Sequence, residues 1–103
     1  QRILAFSQSD IYQQCLSMEI HKEFPFYVEQ NGERITGTMD FLAMNDSNII
    51  LIDYKTDNAP EIEIRQRYSP QLKTYMKALS IMYPNKEVKA YAYSFHHESF
   101  IQI

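Results

Sequence analysis

The stretch Asn48-Ile-Ile-Leu-Ile-Asp-Tyr-Lys-Thr56 decides how this chain folds. Four apolar residues, three of them isoleucine, run unbroken into Asp53, and Lys55 follows two places later. A short apolar run rich in β-branched residues predicts a strand buried on both faces. Side chains two apart on a strand point the same way. Asp53 and Lys55 therefore share a face where that strand leaves the core.

Working outward, Arg34-Ile-Thr-Gly-Thr-Met-Asp-Phe-Leu-Ala-Met44 also reads as a strand, and Asn45-Asp-Ser-Asn48 as the polar turn joining the two. If the hairpin closes symmetrically, Met44 faces Ile49, Asp40 falls directly opposite Asp53, and Thr38 faces Lys55. Facing residues have Cβ atoms about 4.5–5.5 Å apart, and like charges so placed repel. A divalent cation compensates such a pair. Mg²⁺ takes one or two carboxylates together with waters and phosphate oxygens. A turn one residue longer or shorter would break this alignment, so the register belongs to the expectation.

The rest of the chain is read in order. Residues 1–6 form a short lead-in. Ser9 caps a helix of about ten residues, along which Ile11, Cys15 and Met18 recur at helical spacing. Residues 19–29 form a first strand, at an edge that tolerates Pro25. Asn31-Gly32 is a tight-turn signal leading to the strand of Asp40. Beyond Lys55, residues 56–60 form a loop. Glu61-Ile-Glu-Ile-Arg65 alternates like a strand but also fits an exposed linker or a helical turn. Ser69-Pro70 marks a helix start, and Leu72, Tyr75, Met76, Leu79 and Met82 continue it to near Tyr83-Pro84-Asn85. Residues 88–95 form a strand, His96-His-Glu-Ser99 a turn, and 100–103 a last strand. The order is helix, three strands, helix, two strands. That is an α/β fold with a sheet of mixed direction, in which three strands meander and the second helix returns the chain over the sheet.

Bulk properties narrow the function classes. With 103 residues and 45% hydrophobic content, the chain suits one soluble domain with its own core. A single cysteine, Cys15, rules out an internal disulfide, cannot alone anchor an iron–sulfur cluster, and points to a reducing compartment. Its plainest role is that of a small buried apolar residue. No apolar run approaches the ~20 residues of a membrane span, and no signal peptide is visible. Two glycines cannot make a glycine-rich phosphate loop. The net charge of −3 argues against a free-standing nucleic-acid binder, though not against a catalytic domain to which another part of the protein delivers DNA. The first residue is glutamine, so a piece of a longer chain is expected.

Three motifs in this order resemble the PD-(D/E)XK nuclease superfamily: Gly37-Thr-Met-Asp40, Ile52-Asp-Tyr-Lys-Thr56 and Gln71-Leu-Lys-Thr-Tyr75. They are similar in particular to the RecB-type nuclease domain at the C-terminus of RecB and AddA helicase-nucleases. Glu23-Phe-Pro-Phe26 resembles the AddA-like subset. The resemblance implies a restriction-endonuclease-like core, with 1–103 as a single nuclease-like domain from the C-terminal part of a longer chain. It implies a metal-dependent DNA exonuclease acting in double-strand-break repair and recombination. Asp40 and Asp53 would bind Mg²⁺ or Mn²⁺ with the backbone carbonyl of Tyr54, and Lys55 would position or activate the attacking water. Gln71 and Tyr75 would contact DNA. The implied partners are DNA, helicase domains of the same chain and a partner subunit; the implied location is cytoplasmic, with no membrane. The family pattern also has an upstream His or acid on an N-terminal helix. Here that helix offers Gln8, Gln13 and Gln14, with only Asp10 acidic, and Glu19, His21 and Glu23 lie beyond it. The missing ligand is expected ahead of Gln1, or else the site is incomplete.

Plainer readings stand beside these. Asp40, Asp53 and Lys55, taken singly, are solvated strand residues. Tyr75 is core packing and Gln71 an exposed first-turn residue. His96 and His97, as strand neighbours, point apart and are turn residues rather than a metal pair. Arg65, Arg67, Lys73 and Lys77 form either a basic strip toward DNA or a solvated face, with a slight lean to the strip. The alternative to an enzyme is a non-catalytic module of the same fold that binds DNA or scaffolds. A stand-alone nuclease of the superfamily, such as a CRISPR-associated RecB-like exonuclease, is a third reading.

Overall fold

The computed structural model describes residues 2–103, with side chains from Leu4 onward. Two short helices, α1(Arg2–Ser7) and α2(Asp10–Cys15), precede a meander of β1(Glu19–Gln30), β2(Glu33–Met44) and β3(Asn48–Lys55). A long helix α3(Glu61–Met82) then crosses over to β4(Glu87–Ser94), and a hairpin adds β5(Ser99–Gln102). The five strands lie in the order β1-β2-β3-β4-β5. Only the β3–β4 pair is parallel, as a helical crossover requires. The expected α/β architecture and mixed sheet are therefore present.

Helix α3 covers one face of the sheet, burying Ile64, Leu72, Ala78 and Leu79 against Leu42, Met44, Ile49, Leu51, Ala90 and Ala92. Phe6 and Cys15 of the short helices lie on the other face against Phe41, Ala43, Ile50, Ile52 and Tyr93. Ile49 to Ile52 thus alternate between two cores and are all buried, which is why that run is continuously apolar.

Local chemistry fixes the turns. Asn31 and Gly32 both have left-handed φ, +53° and +80°, in the two-residue β1–β2 hairpin. In the β2–β3 turn the Asn45 side chain accepts hydrogen bonds from the backbone N–H of Ser47 and Asn48. That locks the expected register, with Met44 facing Ile49.

Three expectations about the helices are corrected. The lead-in over 1–6 is helix α1, Gln1 lying outside the described residues. The helix capped by Ser9 has six residues rather than ten, because Leu16 is exposed and the Met18 N–H turns back to the Cys15 carbonyl. The Ser9 cap itself is present, its Oγ accepting from the Tyr12 N–H. Helix α3 starts at Glu61, not at Ser69-Pro70, and carries Pro70 in its interior. An internal proline costs about 3 kcal/mol. Burying Ile64 completely recovers about 1.5–3 kcal/mol, and Ser99 Oγ (2.6 Å) donates to Glu61 at the same end.

Candidate active site

The site begins where the β2–β3 ladder ends. Antiparallel pairing stops at Phe41–Ile52, whereas the parallel ladder to β4 runs on through Asp53, Tyr54 and Lys55. Past Ile52, β3 is paired on one edge and open on the other. The Tyr54 N–H on the open edge would lack a partner, and Asp40 Oδ2 accepts it at 2.9 Å. An acid side chain has taken the place of a ladder carbonyl. In an extended strand the N–H and C=O of one residue point to the same neighbour, so the Tyr54 carbonyl faces this gap too.

The expected ladder pairs Asp40–Asp53 and Thr38–Lys55 are therefore not formed. β2 leaves β3 after the Phe41–Ile52 pair, and Thr38 keeps only its pairing with Pro25 of β1 on the opposite edge. The Asp40 carboxylate nevertheless lies close enough to Asp53 to act on its carboxyl group. Lys55 shares the face of Asp53, as the strand period requires, and its Nζ lies 2.9 Å from Asp53 Oδ2. Both side chains are largely withdrawn from solvent, 15% and 12% exposed. Burial, then the hydrogen bond to Asp40, pushes the Asp53 carboxyl up to about 6 against the opposing pull of Lys55. Burial, with the charge of Asp40 nearby, pushes the Tyr54 phenol up to about 12, so its hydroxyl stays neutral.

Tyr68 is a site residue that the motifs do not name. Lys55 Nζ sits 3.9 Å from the centre of its ring. Its hydroxyl donates to Asp57 (3.4 Å), which also pairs with Arg67 and accepts from the Ala59 N–H. The available signal was helical spacing: Tyr68 lies four residues before Leu72 and seven before Tyr75, on the same stripe once α3 is extended backward.

Gln71 is exposed on α3, and Tyr75 is half-buried one turn on. The Tyr75 ring packs edge-on to Phe26, centroids 5.1 Å apart, with its hydroxyl against Gly37. Tyr75 thus does pack on the core while facing the strand that carries Asp40. His97 is held in the β4–β5 turn, its Nε2 2.7 Å from the Ala59 carbonyl and its backbone N–H donating to Ser94. Of the basic strip, Arg67 pairs with Asp57 and Glu63, Lys77 with Glu33, and Arg65 donates to the Gln102 carbonyl. These three cations are engaged with their own fold. Cys15 is wholly buried, and that burial pushes its thiol up to about 11.

A cavity of about 360 Å3 lined by Lys22, Glu23, Asp40 and Tyr54 opens beside the carboxylates. Another cavity, of about 800 Å3, lies by the β2–β3 turn at the far end of the hairpin and includes none of Asp40, Asp53 and Lys55. Among the described residues no three His, Cys, Asp or Glu side chains are grouped to hold an ion. The donor set at the gap is two carboxylates and a backbone carbonyl. All are hard oxygens, which suit Mg²⁺ or Mn²⁺ rather than a thiophilic metal.

A family model described as the PD-(D/E)XK nuclease superfamily matches residues 3–101. Curated relatives are ATP-dependent helicase/nuclease subunits A. That of Lactiplantibacillus plantarum is 32% identical over 117 residues, covering 98% of this chain and 9% of the relative. Those of Clostridium botulinum and Clostridium beijerinckii are 32% and 30% identical, each covering 99% of this chain and 10% of the relative. The chain spans about a tenth of the length of these relatives.

Proposed function

Because this chain belongs to the PD-(D/E)XK nuclease superfamily, we propose that it is the metal-dependent DNA nuclease domain of a RecB/AddA-like helicase-nuclease. On this reading residues 1–103 form one nuclease domain in the C-terminal part of a longer cytoplasmic chain. It digests DNA from the ends of double-strand breaks that the helicase domains of the same chain, with a partner subunit, unwind. The observation that carries the reading is the meeting of Asp40, Asp53 and Lys55 at the gap where the β2–β3 ladder ends.

The chemistry follows from that arrangement. Asp40, Asp53 and the Tyr54 carbonyl hold Mg²⁺ or Mn²⁺. When bound, the ion lends positive charge to the scissile phosphate and lowers the pKa of a water. Lys55 Nζ, held between Asp53 and the Tyr68 ring, orients the attacking water and donates a hydrogen bond to the developing anionic oxygen. Gln71 and Tyr75, on the flank of α3, contact the DNA strand and set its path past the gap.

The test is Asp53→Ala in the full-length parent with its partner subunit. Mg²⁺- or Mn²⁺-dependent cleavage of duplex DNA should be lost while ATP-driven unwinding persists. A variant that cuts like wild type overturns the site assignment. A wild-type protein that binds DNA tightly and never cuts with either metal establishes the non-catalytic alternative.

A further inference from the structure

Three non-glycine residues among those described have a left-handed φ: Asn31, Glu98 and Glu23. Asn31 and Glu98 sit in hairpin turns, where such a conformation is required. Glu23, at φ +52°, lies inside strand β1. Its neighbours remain paired, Lys22 with Phe41 and Phe24 with Met39, but the Glu23–Asp40 step between them is missing from the ladder.

Both strands change face at this step. In β1, Ile20 packs with the core beneath α1 and α2, whereas Phe24, Phe26 and Val28 pack beneath α3. All four have even numbers and would share a face in a regular strand. In β2, Leu42 and Met44 face α3 and Phe41 faces away, yet Met39 and Ile35 also face α3. A bulge in one strand alone would shift the register. Here it is unchanged on either side, so the slip in β2 is matched by the one in β1.

We propose that Glu23 is a positioning residue: its left-handed backbone turns β1, and β2 with it, so that β2 leaves β3 at Asp40 and delivers the Asp40 carboxylate to the Tyr54 N–H and the gap beside Asp53. This rests on the reading of Asp40 as an acid of the active site. The slip seats Met39, 1% exposed, under α3 in the place an unbroken strand would give Asp40. It also ends the β2–β3 ladder at Phe41–Ile52. The requirement is for a backbone conformation, and the exposed Glu23 carboxylate is dispensable. Glycine adopts left-handed φ freely, asparagine readily, and a β-branched residue worst of all.

The experiment compares Glu23→Gly, Glu23→Asn, Glu23→Gln and Glu23→Val in the full-length parent with its partner subunit. It measures DNA cleavage in Mn²⁺, Mn²⁺ binding in excess of an Asp40→Asn control, and hydrogen exchange at the Tyr54 amide. The Gly, Asn and Gln variants should stay within about threefold of wild type in kcat. The Val variant should lose about tenfold or more in kcat with KM for DNA unchanged, bind Mn²⁺ more weakly, and lose protection at the Tyr54 amide. A Val variant indistinguishable from wild type overturns the proposal. So does a loss shared by the Gly, Asn and Gln variants, which would assign the effect to the carboxylate. Should Glu23→Val not fold, Glu23→Thr, also β-branched, carries the same expectation in smaller degree. If wild type makes no cut, the nuclease reading fails alone, because exchange at Tyr54 still judges the positioning.

Discussion

The ammonium of Lys55 rests 3.9 Å from the centre of the Tyr68 ring while it pairs with Asp53, so α3 and β3 hold one cation between them. A cation–π contact that keeps part of its surface in water is worth about 1 kcal/mol, or about fivefold in rate if it acts through the position of Lys55. Tyr68→Leu should lower kcat for DNA cleavage about fivefold with KM little changed. Tyr68→Phe keeps the ring, loses only the long hydrogen bond to Asp57, and should stay near wild type. Equal losses in both variants would mean that the hydroxyl, and not the ring, supports the site.

Asp53 gives the site a pH dependence of definite sign. Its folded-state pKa is raised from 3.8 to about 6, by burial first and by the hydrogen bond to Asp40 second. Below pH 6 the metal-free fold therefore holds a proton that a cation must displace. Apparent Mn²⁺ affinity should rise up to about tenfold per pH unit toward pH 6 and flatten above it. The same shift makes this acid stabilise the metal-free fold most below its unfolded pKa, a contribution lost as pH rises through 6. Mn²⁺ titrations below, at and above pH 6, with Asp53→Asn as control, read this directly. A profile flat through pH 6 in wild type would remove Asp53 from the metal site.

The parts of this site legible in the sequence are those set by short-range rules. The shared face of Asp53 and Lys55 follows from a period of two, and the hairpin register from Asn45, whose side chain closes its own turn. The way Asp40 reaches the gap was not legible. It depends on a left-handed residue in β1, and nothing about a glutamate announces that conformation. Ser69-Pro70 misled for the opposite reason. It is a strong local start signal, overridden by burial of Ile64 about one and a half turns earlier. Misplacing that start hid Tyr68, which belongs to the stripe only when the helix runs back to Glu61.

Pro70 should consequently be a point of surplus strain in α3. It is exposed, lacks the N–H that would bond the Gln66 carbonyl, and crowds that carbonyl with its ring. Pro70→Ala restores the bond. After allowance for the looser unfolded chain, it should stabilise the helix by about 2 kcal/mol. Amide exchange along α3 in the full-length chain, slowed by a corresponding factor of about thirty, is the measurement. Unchanged exchange would mean that the helix relaxes around the proline at no cost.

Gly37 and Tyr75 meet closely where α3 passes the strand that carries Asp40. A Cβ at Gly37 would lie 2.7 Å from the Tyr75 hydroxyl oxygen, 3.2 Å from its ring carbon and 3.3 Å from Phe26. The tyrosine ring cannot swing clear without leaving Phe26, against which it packs edge-on. Gly37→Ala should therefore destabilise the domain by about 1–3 kcal/mol and lower cleavage by displacing β2 three residues from Asp40. Tyr75→Phe removes the nearest clashing atom. In the double variant Gly37→Ala/Tyr75→Phe part of the loss should return, a coupling of at least about 0.5 kcal/mol. A strictly additive double-mutant cycle would mean that the two residues do not touch, and would separate the Gln71–Tyr75 flank of α3 from the strand that positions the acid.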